Sequence, residues 1–259
     1  MADRAVLNRR RDGAVEVLTI DRPEAANSID LATAQALSVA FDELSDDPEV
    51  RVVVITGAGE RVFCGGMDLR AVQAGQANAI NGVAGGFGGL VRRRFPHPVV
   101  AAVNGAAVGG GFELVLACDL VVAADNASFG LPEVRRGLIA ASGGLVRLAR
   151  RVAPVVAAQL ALSGESITAL EAERLGLVNV VVPRGEALEA ASALARRIAL
   201  NAPVALRATK ALLRASVEAG EDELWRLNSV LSADVQASED AAEGAAAFSE
   251  KRQPRWQNR

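Results

Sequence analysis

The chain has 259 residues, 51% of them hydrophobic, enough to bury one large core with a small appendage rather than two equal domains. A formal charge of −3 with scattered basic residues argues against a general nucleic-acid or anionic-membrane surface. Two distant cysteines, a single histidine (His97) and the absence of tyrosine argue against a disulfide framework, a zinc cluster and a Ser/His/Asp hydrolase, for which no G-x-S-x-G elbow exists.

The N-terminus carries arginines but no apolar leader, and apolar runs are interrupted by Glu, Asp or Gly well short of a membrane span. The expectation is a soluble cytoplasmic protein in a reducing compartment. Ala14 to Ile20 reads as a strand, closed by the turn Asp21-Arg22-Pro23. A helix is expected from Leu31 to Leu44, N-capped by Asp30. Arg51 to Thr56, Pro98 to Val103, Asp119 to Ala124 and Val178 to Val182 are short, β-branched and almost wholly apolar, which predicts strands covered on both faces. Alternation of such strands with helices is an α/β signature. From Ala187 onward the pattern is helical only, with helices expected over 187–200, 203–219, 221–232 and 234–251. Asn201-Ala202-Pro203 divides a core (residues 1–200) from a helical assembly region (201–259).

Three glycine clusters interrupt this scheme: 57–66, 82–89 and 105–111. Gly57-x-Gly59 follows a strand but lacks the third glycine and the helix of a dinucleotide fingerprint, and no GK[ST] follows any cluster. Gly109-Gly110-Gly111 precedes an apolar helical run, so its amides are candidates to meet a developing negative charge at a helix N-terminus, with close helix packing as the alternative use. Glu113 follows within that apolar run. Glu133 stands among apolar neighbours after Pro132, near an expected helix start. Their separation in sequence does not itself bring them together.

Val99–Asp119 (VVAAVNGAAVGGGFELVLACD), Phe63–Arg70 (FCGGMDLR), Asp125–Gly137 (DNASFGLPEVRRG) and Phe248–Arg252 (FSEKR) together resemble the motifs of the enoyl-CoA hydratase/isomerase (crotonase) family, in family order and from about Val15 to the C-terminus. The resemblance implies an α/β, ClpP-like spiral of ββα units and a C-terminal helical trimerisation region, giving homotrimers or hexamers. It further implies an acyl-CoA thioester substrate, with coenzyme A part of that substrate and no separate cofactor, metal, nucleic-acid partner or membrane. By motif position, the backbone N–H groups of Met67 and Gly110 would form the oxyanion hole and Glu113 and Glu133 the catalytic pair of a 2-enoyl-CoA hydratase. Glu133 would protonate C2 and Glu113 would activate water. Substrate contacts would come from Ala25, Ala26, Gly66, Asp68, Leu69, Arg70 and Gly109, and from Phe248 and Lys251, the last two often reaching a neighbouring subunit.

Retention of both glutamates favours hydration over Δ3-Δ2-enoyl-CoA isomerisation, and specialised dehydratases of the carnitinyl-CoA type keep the same pair. Family members that rely on a tyrosine are excluded by composition. No lysine comb supports an RNA-binding relative; a non-enzymatic acyl-CoA-binding scaffold would have no use for the acids. The Gly-, Ala- and Gln-rich segment 71–94 is expected to be mobile and to line the acyl pocket, whose depth the sequence does not give.

Overall fold

In the computed structural model, which describes residues 5–259, the chain folds into strands β1 (Leu7–Asp12), β2 (Val15–Ile20), β3 (Val52–Gly57), β4 (Val62–Cys64), β5 (Val99–Val103), β6 (Ala106–Val108), β7 (Leu120–Ala124), β8 (Ser128–Gly130), β9 (Ser166–Thr168) and β10 (Val180–Val182). The larger sheet has the order β1-β2-β3-β5-β7-β10, the smaller β4-β6-β8-β9. In the larger sheet only the β1–β2 pair is antiparallel. Successive units thus place one strand in each sheet before turning into a helix, which is the spiral of ββα units that the resemblance implies.

The helices are α1 (Leu31–Asp46), α2 (Leu69–Gln73), α3 (Ala77–Gly82), α4 (Gly110–Ala117), α5 (Gly144–Arg151), α6 (Pro154–Ser163), α7 (Ala169–Arg174), α8 (Ala187–Ala199), α9 (Pro203–Ala215), α10 (Glu221–Gln236) and α11 (Glu239–Glu250). Asp30 caps α1, accepting from the Thr33 N–H at 2.8 Å. The expected junction falls between α8 and α9, and the last helix starts later than its alanine-rich pattern suggested because Ser238 caps it.

Strand alternation divides the core. Val15, Val17, Val52, Val54, Val100 and Val122 face Ala191, Ala195 and Ala199 of α8, while Leu18, Ile20, Val53, Ile55 and Val121 face the interior between the sheets. The short strands β4, β6 and β8 have no length or periodicity to announce them in sequence. Each is recruited by pairing with its neighbour one turn of the spiral away. Segment 71–94 is the main departure: it forms α2, α3 and a single helical turn, Phe87–Gly89, whose three residues are buried. Positive φ at Gly85, Gly86, Gly88 and Gly89 lets this turn fold tightly, and Arg93 ties it down through Gly89 O (2.7 Å) and Ala84 O (3.0 Å).

Candidate active site

Two adjacent β–helix transitions build the site. β6 pairs with β8 in parallel, with Val108 opposite Gly130. The Gly109 N–H donates to Gly130 O at 2.9 Å, so the residues after each strand, Gly109 to Glu113 and Leu131 to Glu133, emerge side by side. Gly109 has φ +56°, and a Cβ there would stand 3.2 Å from Glu133 Oε1; the missing side chain is what admits the acid. Pro132 opens the helical turn Pro132–Arg136 that carries Glu133, as its sequence position suggested.

Glu113 lies in the first turn of α4, is 3% exposed, and accepts the Gly144 N–H at 2.8 Å. Burial raises its pKa; the Gly144 amide opposes the rise, the charge of Glu133 adds to it, and the Ser142 amide and Arg147 charge counter it. Burial also raises the pKa of Glu133, against its own N–H and the Arg136 charge. Its Oε2 is buried with no hydrogen-bond partner among the described residues. The approach of Glu133 Oε1 to Gly109, at the start of the helix that carries Glu113, shows that the fold has brought together what the sequence left apart.

The backbone donors lie on the same wall. A parallel bridge joins Ile29 to Met67: the Ile29 N–H donates to Gly66 O (2.8 Å) and the Asp68 N–H to Ile29 O (3.0 Å). This bonding pattern leaves the Met67 N–H pointing away from the bridge. Gly66, at φ +89°, approaches α4 so closely that a Cβ would come 3.0 Å from the Gly110 nitrogen. The Gly110 N–H, in the first turn of α4, has no intrahelical acceptor. Phe87 backs it: a Cβ on Gly110 would lie 2.6 Å from the buried ring.

Beyond Met67 a cleft of about 720 Å³ is lined by Ala25, Ala26, Asp68, Leu69 and Arg70, together with Arg22 and Arg136. Ala26 and Asn27 adopt left-handed backbone at φ +54° and +50°. Asn27 sustains it with side-chain bonds to Ala58 O (3.0 Å) and Val62 O (2.7 Å), and the Gly65 N–H takes up Ala26 O at 2.9 Å. The Asp68 carboxylate is occupied internally, capping α2 through the Arg70 N–H and pairing with Arg22 at 3.0 Å. Arg22 also pairs with Asp30, whereas Arg70 and Arg136 have no ion pair among the described residues.

Phe248 and Lys251 stand apart from this cleft; Phe248 is 86% exposed at the end of α11 and Lys251 closes that helix in left-handed backbone. Sequence reasoning missed Arg22, Arg136, Phe87 and Gly144. The run Ser142-Gly143-Gly144 was the available signal for the last, being a fourth glycine cluster downstream of Glu133. No group of three or more metal-ligating side chains occurs among the described residues. The arrangement can polarise a carbonyl at two amides while two carboxyls exchange protons with the adjoining carbons.

The chain is similar to known proteins over almost its whole length. Residues 10–259 match the profile of the family described as enoyl-CoA hydratase/isomerase. A carnitinyl-CoA dehydratase of Proteus mirabilis is 44% identical over 252 residues, covering 95% of this chain and 96% of the relative. Among solved structures, an enoyl-CoA hydratase of Mycobacterium tuberculosis H37Rv superposes with a TM-score of 0.94 at 40% identity, covering 99% of this chain and 100% of that one. A carnitinyl-CoA hydratase of Mycobacterium avium is 45% identical with a TM-score of 0.78, again over 99% and 100% of the two chains.

Proposed function

Because the chain belongs to the enoyl-CoA hydratase/isomerase family, we propose that it moves water across the C2–C3 bond of a coenzyme A thioester, with dehydration of a carnitinyl-type 3-hydroxyacyl group as its specific reaction. The general 2-enoyl-CoA hydratase reading describes the same chemistry on an unspecialised acyl chain. The names of the relatives at 44% and 45% identity favour the specialised form. The reading rests on the meeting of buried Glu113 and half-buried Glu133 at the Gly109–Gly110 turn, beside two backbone amides that no carbonyl takes up.

In the dehydrating direction the thioester oxygen accepts the N–H groups of Met67 and Gly110, which stabilise the negative charge that builds there as C2 loses its proton. Glu133 takes that proton. Glu113 donates a proton to the departing C3 hydroxyl, which leaves as water, and the C2–C3 double bond forms. Hydration reverses each transfer, so one acid is protonated and the other ionised at the start of either direction. Burial raises both carboxyls, and the charge of Glu133 raises Glu113 further, which favours one of them staying protonated. A trimethylammonium at C4 adds a cation beside the pair and draws the ionised member toward its charged form.

Coenzyme A arrives as part of the substrate. The cleft beside Met67 would accommodate it, with Arg70 and Arg136 as partners for its phosphates and Ala25 and Ala26 forming part of the wall. Self-association through α9–α11 is part of the same proposal: none of the sixteen residues of α10 is buried in the single chain, yet it carries Trp225 and Val230.

The test is absorbance at the enoyl-thioester band with carnitinyl-CoA and 3-hydroxybutyryl-CoA in parallel. Faster turnover of the carnitinyl thioester is expected; turnover of the simple substrate alone would remove the specialised reading and leave the general one. Full activity in Glu133→Gln would overturn the assignment of the acids.

A further inference from the structure

A second cavity lies behind Glu113. Gly110, Glu113 and Ala117 follow one face of α4, so Ala117 is one turn, about 6 Å of helix, beyond the acid. It lines a cavity of about 430 Å³ between the end of α4, α5 and α9. One wall is apolar, formed by Leu90, Phe95 and Leu213. The other wall carries six cations, Arg93, Arg147, Arg150, Arg151, Lys210 and Arg214, against two carboxylates, Asp119 and Glu218.

Three of these cations have a counter-charge: Lys210 pairs with Asp119 at 2.7 Å, Arg150 with Glu218 at 3.8 Å, and Arg93 with Asp42. The other three have none within ion-pair distance among the described residues. Their guanidinium groups are instead held by carbonyls, Arg151 on Cys118 O (2.7 Å), Arg214 on Arg93 O (2.7 Å) and Arg147 on Val91 O. They crowd one another: burial, with the charges of Arg214 and Arg151, holds Arg147 below the ordinary arginine range. Like charges fixed together beside a cavity raise the free energy of the empty protein, and an anion that enters relieves it. Guanidinium is suited to a carboxylate, which it binds in a planar, two-pronged fashion. The apolar wall adds a requirement that a bare inorganic ion does not meet.

We propose that this cavity binds a carboxylate carrying a hydrocarbon body, its oxygens on Arg151 and Arg214 and its chain against Leu90, Phe95 and Leu213. The ligand is a free medium-chain carboxylate, because the acyl group proposed above carries a cation rather than a second carboxylate. Occupancy is measured by binding, so the inference stands or falls apart from the proposed dehydration.

Calorimetry with octanoate, octanol and inorganic phosphate on the full chain provides the test. Octanoate is expected to bind at least about tenfold more tightly than either comparator, since each lacks one half of the recognition. The double variant Arg151→Gln/Arg214→Gln should weaken octanoate by roughly tenfold or more and leave octanol unchanged, while the Arg→Lys pair, which keeps the charge and guards against a folding artefact, should recover part of the loss. Octanoate binding no tighter than octanol, or undiminished in the Gln variant, overturns the proposal; so does phosphate binding as tightly as octanoate.

Discussion

Glu113 shows how a single residue divides stability from chemistry. Its carboxyl is buried, so its folded-state pKa lies above the ordinary value of 4.5. A group raised in this way costs the fold nothing below that ordinary value and weighs against it increasingly as pH rises above it. Glu113→Gln, still able to accept from the Gly144 amide, is therefore expected to melt at a higher temperature than the wild type at pH 7. The difference should vanish as pH falls below that ordinary value of 4.5, and thermal melts across that range check it. The same substitution, and Glu133→Gln, should lower kcat by about 10² to 10⁴ if each acid transfers a proton, as initial rates on the thioester substrate would show.

At the scale of elements, the site depends on backbones brought into contact without side chains between them. A Cβ on Gly144 would meet Glu113 Cγ at 2.8 Å, so Gly144→Ala should push the acid out of line. A displacement of about 1 Å costs on the order of 10² in rate, and the loss should appear in kcat rather than KM. Gly110→Ala should clash with the Phe87 ring and cost about 1–3 kcal/mol. Adding Phe87→Leu should return part of that cost, so a double-mutant cycle by urea unfolding is expected to give a clearly non-additive coupling. The segment before β5 carries another dependence. Burial lowers the pKa of His97 from 6.5 to about 4, and its carbonyl accepts Lys210 of α9 at 2.6 Å. A group depressed in this way stabilises the fold above pH 6.5, and that contribution, about 3 kcal/mol, is lost as pH falls toward 4. Between those limits the wild type should lose stability faster than His97→Gln, measured by chemical unfolding at each pH.

The whole molecule presents a core that is complete and a helical end that is not. The interior between the sheets and the face under α8 are closed by apolar side chains, whereas Trp225 is 62% exposed, Val230 59% and Phe248 86% on the last helices. Under the self-association proposed above, these residues would lie in the contact between chains. Wild-type protein is expected to sediment as an assembly near three chains or twice that, and Val230→Asp as a smaller species with a lower melting temperature; a monomeric wild type would remove the assembly proposal. No helix among the described residues is long and apolar enough to cross a membrane.

The sequence by itself determined the buried strands expected over 51–56, 98–103 and 119–124 and found at 52–57, 99–103 and 120–124, the Asp30 cap and the glycine-to-helix transition ahead of Glu113, because each is encoded by local pattern: β-branched runs, a capping side chain, a donor-rich helix start. Four motifs in order carried the family resemblance. Only the tertiary structure decided that Glu133 lies beside Gly109 and is coupled to Glu113, that Gly144 grips the latter, and that Phe87 backs Gly110 from a segment read as mobile. The reason is physical. Parallel pairing of β6 with β8 and the close approach of glycine backbones join residues far apart in the chain, and such contacts are set by register and by the absence of side chains, neither of which a local pattern records.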